Sequence, residues 1–174
     1  MTVPEQVYAA LDAMGIAYDA IRHDAAAHIT QCMEVMRSLN AVVVKNIFLC
    51  PRNQSRFYLL LTRPDAKLRT SDISAQVGAS RLSFAPEDKL LELLNEHPGA
   101  ISPMGLIFDE GHAVTVLVDD ALFRAERLAF HPCVNTESLA MSGRDFFDVF
   151  LKQLGCAPIP VTIHDFLQPK EENA

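Results

Sequence analysis

At 174 residues and 19.3 kDa the chain fits one domain, and a domain of that size buries roughly 70% of its unfolded surface without needing disulfides or a metal. Apolar residues at 49% against 21% charged exclude general disorder, and no run nears the ~18 apolar residues that a membrane span needs. The formal charge of −7 opposes phosphate-bearing partners only on average: from Arg37 to Arg81 eight basic residues face two acidic ones, a local balance of +6 that leaves −13 for the rest.

The first element is a helix. Thr2 followed by Glu5 is a capping-box pattern, Pro4 fits the first turn, Val3, Val7, Leu11 and Met14 line one face, and Gly15 can close the end. A strand is expected over 17–22 and a second helix over Thr30–Leu39, with Cys32, Val35, Met36 and Leu39 inward. The period then changes. Residues 41–50 and 56–63 are rich in Val, Ile, Phe, Tyr and Leu and are separated by Pro51–Ser55, which predicts a hairpin. A helix over Ser71–Val77 closed by Gly78, a short strand over Arg81–Phe84 and a helix over Pro86–Asn95 follow. Strands are expected over Gly105–Phe108 and Ala113–Val118 about a turn at Asp109–Gly111, then over Leu128–Phe130 and Glu137–Met141. The last helix, Ser142–Leu154, has Ser142 as its cap and Gly155 as its stop. Helices and strands mix without regular alternation, so the expected fold is a single α+β domain with a mixed sheet curled toward a barrel and flanked by helices. The domain is expected to span 1–167, with 168–174 a flexible tail.

Many chemistries lack their signatures. The four cysteines form no C-x-x-C pair and read as separate, mostly buried thiols of a reducing cytosol; the six histidines show no H-x-x-x-H spacing. No phosphate loop, dinucleotide fingerprint or G-x-S-x-G elbow occurs. The N-terminus has no basic flank followed by an apolar run, so no secretory signal is expected.

Polar chemistry interrupts the apolar pattern at three places. Lys45 and Asn46 lie adjacent inside a strand and so point to opposite faces; Lys45 there serves either as an edge-strand charge or as a binder of phosphate or developing negative charge. Gly99-Ala-Ile-Ser-Pro-Met-Gly105 brackets Ser102-Pro103 with glycines, either as a tight structural loop or as a set of amides that cradle an anion or a carbonyl oxygen. His131-Pro-Cys-Val-Asn135-Thr136 is either a capped turn or the wall of a small polar pocket with His131 as proton carrier. Cys133 in that turn reads as a buried structural thiol before it reads as a nucleophile.

Taken in order, Lys-Asn-Ile-Phe-Leu, Gly-Ala-Ile-Ser-Pro-Met-Gly-Leu and His-Pro-Cys-Val-Asn-Thr, with Leu82-Ser83-Phe84 between, resemble the YbaK/prolyl-tRNA synthetase-associated editing domain family, in particular its freestanding ProX/PrdX-type members. The resemblance runs from the first helix to about Leu154. It implies a cytoplasmic, trans-acting deacylase that hydrolyses mischarged tRNA(Pro), most typically Ala-tRNA(Pro), using a water and the terminal ribose hydroxyl, with no cofactor and no metal. Lys45 would then engage the terminal phosphate or the ester, with Asn46 positioning the substrate. Gly99, Ser102 and Gly105 would belong to the loop that stabilises the carbonyl oxygen. His131, with Asn135 and Thr136, would border the aminoacyl pocket, as would Thr30, the residue kept from the family's Pro-Val-x-Thr pattern. Apart from the resemblance, the +6 window from Arg37 to Arg81 makes Arg52, Arg56, Lys67 and Arg81 the expected tRNA contacts. The implied partners are the acceptor end of tRNA and, beside it, prolyl-tRNA synthetase, with no membrane. Three alternatives stand against this reading: a cysteine- or serine-directed deacylase of the same family, a non-catalytic tRNA- or synthetase-binding module, and a small-molecule binding or regulatory domain that does not touch RNA.

Overall fold

The computed structural model describes residues 1–25, 34, 35 and 37–164. Helix α1 (Val3–Ala13) begins as its sequence dictates. The Thr2 hydroxyl accepts the Glu5 amide, the Glu5 carboxylate accepts the Thr2 amide, and Val7 and Leu11 are buried. Of the helix expected over Thr30–Leu39, residues 34, 35 and 37 are helical and Leu39 is buried; the other positions up to 36, Thr30 included, lie outside the described residues.

The strands form two open mixed sheets rather than one sheet curled toward a barrel. In the first, β1 (Tyr18–Arg22), β8 (Glu137–Ser142), β7 (Arg127–Phe130) and β2 (Val42–Val43) lie in that order, antiparallel except for the β7–β2 pair. The second has the order β5 (Leu82–Phe84), β3 (Lys45–Pro51), β4 (Phe57–Thr62), β6 (Val114–Asp119), β9 (Ile159–Val161), with β4, β6 and β9 parallel. The hairpin is the β3–β4 pair, in register from Lys45 opposite Thr62 to Leu49 opposite Tyr58.

The run 41–50, read as one strand, is divided. Val42 and Val43 pair with β7, Val44 crosses, and Lys45 begins the second sheet. Apolar continuity hides this break, because Val43, Val44 and Ile47 are all buried although they belong to different sheets or to the crossing between them. One face of the second sheet packs toward the first through Phe48, Leu59, Leu61, Val116, Phe130, Leu139, Phe146 and Phe150. Its other face, with Ile47, Leu49, Tyr58, Leu60, Leu117 and Val161, clusters with Ile73 of α2 (Thr70–Val77) and with Ile163. A sheet buried on both faces needs apolar strands, which β4 and the Ile47–Cys50 part of β3 supply.

Helix α2 ends on Gly78 at φ 66°, and α3 (Glu87–Leu94) ends on Asn95 at φ 55°. The strand expected over Gly105–Phe108 is instead part of a 3₁₀ helix, Pro103–Phe108. Ser102 caps it by accepting the Met104 amide at 3.1 Å, and Pro103 presets the first helical φ. The last helix is capped as expected, the Ser142 hydroxyl accepting the Asp145 amide at 3.0 Å, but Asp145–Leu151 winds as a π-helix that turns Phe146, Phe150 and Leu151 into the core. Strand β9 lies where Pro158 and Pro160 give no strand signal in the sequence. Pro160 fits there because β9 lies at the sheet edge, where a missing N–H costs no ladder bond. Among the described residues no helix is long and apolar enough to cross a membrane.

Candidate active site

Lys45 opens β3 at the seam between the sheets. Alternation places it on the face of Ile47, toward α2, and Asn46 on the face of Phe48, toward the core between the sheets. Each face carries a cavity. On the Lys45 side a cavity of about 690 Å³ is lined by Lys45, Lys67, Arg69 and Arg81 together with Thr70 and Ser71 at the start of α2. On the Asn46 side a mainly apolar cavity of about 390 Å³ is lined by Asn46, Phe48, Leu90, Pro98 and Ile101, together with the exposed Glu87. Lys45, Ile47 and Phe84 border both. Asn46 Nδ2 donates to the Val44 carbonyl at 3.2 Å, while its buried Oδ1 has no partner among the described residues.

The sequence pattern puts four of the expected basic residues in one group, and the structure divides them. Lys67 and Arg81 share the cavity of Lys45. Arg52 and Arg56 are exposed at the β3–β4 turn, at the other end of a seven-residue strand, about 20 Å from Lys45 by strand rise.

The loop Gly99–Gly105 is held from beneath by a residue that sequence reasoning passed over. Glu96, the second residue after α3, is completely buried. Its Oε1 accepts the Ser102 amide at 3.0 Å and the Cys133 thiol at 3.3 Å, and its Oε2 has no partner among the described residues. Burial pushes its carboxyl well above the usual carboxylate range, against the smaller opposing pull of the Ser102 amide, the thiol and the Gly105 backbone. A glutamate just after a helix ordinarily reads as solvated surface. The signal available was Gly105, whose missing Cβ would meet Glu96 Oε1 and the Leu94 carbonyl, each at 2.6 Å.

Most of the loop's amides are spent internally. Ala100 donates to His97, Ser102 to Glu96, Met104 to the Ser102 hydroxyl and Gly105 to the Ser102 carbonyl. The amides of Gly99, where φ is 87°, and of Ile101 have no acceptor among the described residues. Ile101 is also the loop residue that lines the Asn46 cavity. Ser102 itself is fully buried, with its hydroxyl committed to capping.

The turn after β7 approaches the same region. In the parallel β2–β7 register Val43 lies opposite Ala129, so Lys45 and His131, each two residues further on, leave the same end of the pair. His131 is buried and donates from Nδ1 to the Glu137 carbonyl at 2.7 Å, which leaves Nε2 as the acceptor of the neutral ring. Burial, with the neighbouring His23 adding to it, lowers its pKa from the ordinary 6.5 and keeps the ring neutral. The His23 ring lies 6.0 Å away, tied by Nδ1 to the Asp24 carbonyl and by Nε2 to the Ser138 hydroxyl. Cys133 is buried at φ 65°, and burial together with the Glu96 carboxyl pushes its thiol far up. Its burial is what the sequence pattern leads one to expect. Asn135 is half-buried and Thr136 exposed, its carbonyl accepting the His23 amide at 2.9 Å.

The arrangement thus offers a cationic cavity, an apolar cavity with an unsatisfied amide oxygen, and a loop and turn braced on one buried carboxyl. Residues 23–149 match the model of the aminoacyl-tRNA editing domain. The chain is 32% identical over 145 residues to the prolyl-tRNA editing protein ProX of Acetoanaerobium sticklandii, covering 83% of this chain and 88% of that protein. It is 30% identical over 153 residues to the prolyl-tRNA synthetase associated domain-containing protein 1 of Mus musculus, covering 86% and 89%. Among solved structures, a candidate trans-editing enzyme for prolyl-tRNA synthetase shares the fold at a TM-score of 0.69 and 14% identity, over 94% of this chain and 99% of that one. The match encloses Lys45, the Gly99–Gly105 loop and the His131 turn alike, and so the chain belongs to the aminoacyl-tRNA editing domain family, alongside the ProX-type proteins.

Proposed function

We propose that the protein is a trans-acting aminoacyl-tRNA deacylase that removes alanine from mischarged tRNA(Pro). The observation that carries this reading is the meeting of a cationic cavity and an apolar cavity at Lys45, within a chain of the editing family. A 3′-aminoacylated RNA end has that duality: phosphates on one side of the ester, a small side chain on the other. Lys45, Lys67 and Arg81 would hold the terminal phosphates, and the ester would lie across the Lys45–Asn46 step.

The chemistry asks little of the side chains. Water attacks the ester carbonyl carbon, the bond from that carbon to the ribose oxygen breaks, the ribose oxygen takes a proton, and the free amino acid departs. Charge builds on the carbonyl oxygen in the transition state, where the Lys45 ammonium and a loop amide such as that of Ile101 stabilise it. A protein nucleophile is not needed, which accords with Ser102 serving as a cap and Cys133 as a buried donor to Glu96. Exclusion of the larger proline from the pocket would spare correctly charged tRNA.

The test is a panel of tRNAs mischarged with alanine, cysteine, serine or threonine. Release of alanine from tRNA(Pro) by the wild type, abolished by Lys45→Ala, is the expected result. Preferential release of cysteine or serine reassigns the specificity, and binding without release from any substrate overturns the enzymatic reading.

A further inference from the structure

Phe84 is 76% exposed, whereas Phe123, the next most exposed aromatic side chain among the described residues, is 40% exposed. It ends the edge strand β5, and its backbone is fixed on every side. Phe84 pairs with Leu49, the following Ala85 amide donates to the Phe48 carbonyl at 2.9 Å, and the Leu82 amide donates to the Ser74 hydroxyl at 3.0 Å. A large apolar ring on a rigid edge, left in water, is not explained by packing. Its neighbours supply the explanation. The ring borders both cavities, with Lys45 and Arg81 beside it on one side and Asn46 and Ile101 on the other.

We infer that Phe84 is a stacking platform for the 3′-terminal nucleobase of a single-stranded RNA end, whose phosphates lie among Lys45, Lys67 and Arg81. This rests on the proposed function and adds to it a base-binding subsite. Aromatic side chains next to a cationic groove are the recurrent means of binding single strands, because every base offers a flat face while the cations follow the backbone. The geometry fits a base joined to its own phosphate and ribose. The phosphate takes the basic cavity, the ribose ester reaches the Lys45–Asn46 step, and the base covers the ring that both cavities share. Such a site registers the presence of a terminal base more than its identity, since stacking is tolerant of sequence.

The sequence contains no tryptophan, so Phe84→Trp creates a fluorophore unique to this position. The probe is the trinucleotide cytidylyl-cytidylyl-adenosine carrying no amino acid, with the same oligomer lacking its terminal base as control. The Phe84→Trp protein should show saturable fluorescence quenching by the complete trinucleotide and much less by the abasic one. Phe84→Tyr should bind like wild type, whereas Phe84→Leu and Phe84→Ala should each weaken binding by about 5- to 150-fold, the range of one lost base–aromatic stack. Retained thermal melting and circular dichroism of the variants would confirm that folding is intact. The inference is overturned if the wild type does not bind the trinucleotide, if Phe84→Leu binds as tightly as wild type, or if the abasic oligomer competes equally. A contact with a protein partner would give that last pattern, with Phe84→Leu preserving function. Because the ligand carries no aminoacyl ester, the readout is independent of hydrolysis: a protein that stacks the base but releases no amino acid refutes the deacylase and not the platform.

Discussion

The Cys133 thiol donates to Glu96 Oε1 across 3.3 Å, tying the turn after β7 to the residue that carries the Gly99–Gly105 loop. Two of the three family motifs thereby share one buried carboxyl. Glu96→Ala should destabilise the fold by about 1–3 kcal/mol from the stranded Ser102 amide alone, read from the urea midpoint.

The same carboxyl gives a pH signature. Its folded pKa is raised, so above the unfolded value near 4.5 the native chain retains a proton that the unfolded chain releases. Stability is therefore fully present below that value and is lost as pH rises toward the folded one. From about pH 5 to about pH 8, wild-type stability should fall relative to that of Glu96→Gln, whichever protein is the more stable at the start. Parallel curves in denaturant titrations across this range would contradict the assignment.

His131 has the opposite sign. Burial depresses its pKa from 6.5, so its contribution is present above that value and is lost as pH falls through the lower folded pKa. Acidification below about pH 6.5 should weaken the fold more in wild type than in His131→Asn. Observing the His131 imidazole titration by nuclear magnetic resonance checks the direction of the shift.

Gly105→Ala places a methyl group 2.6 Å from both Glu96 Oε1 and the Leu94 carbonyl. Overpacking of this kind costs about 1–3 kcal/mol, and the displaced loop should lower deacylation even at temperatures where the variant stays folded. A thermal melt paired with a single-turnover assay separates the two effects.

Lys45→Ala should reduce kcat by about 100-fold or more if the ammonium faces the developing oxyanion. Lys67→Ala with Arg81→Ala should instead weaken RNA binding and flatten the salt dependence by about one to two units of slope. Arg52→Ala with Arg56→Ala should leave a CCA trinucleotide unaffected and weaken only a substrate long enough to span about 20 Å along β3.

Local signals that close within a few residues were legible in the sequence. The capping box of α1, the β3–β4 hairpin, Gly78 after α2 and the Ser142 cap all stand where their residue chemistry put them. What was not legible depends on partners far along the chain. Val44 reads as one more strand residue, because only β7 and β4 decide where one sheet stops and the next begins. Gly105–Phe108 is as apolar as a strand, yet the Ser102 cap and Pro103 wind it into a 3₁₀ turn. Within the site, the polar pair Lys45–Asn46 was visible because polarity interrupts an apolar strand. Glu96 was not, because its 0% exposure is conferred by Cys133 and the loop above it. The charge window from Arg37 to Arg81 was real in sequence but scatters in space: Lys45, Lys67, Arg69 and Arg81 line one cavity, Arg52 and Arg56 sit at the hairpin turn, Arg63 pairs with Asp119 at 2.8 Å and Arg37 is on a helical segment.

Val44 is 5% exposed, and its amide reaches back to the Ala129 carbonyl at 3.4 Å while the next residue already pairs in the other sheet. Lys45 is therefore attached to both halves of the core at once, and its distance from the His131 turn gauges how the halves are seated. A volume change at Phe48 or Phe130, both remote in sequence from the Gly99–Gly105 loop, would tilt one sheet against the other and shift that gauge. Repacking the interior for thermal tolerance should thus surrender turnover before it surrenders the fold.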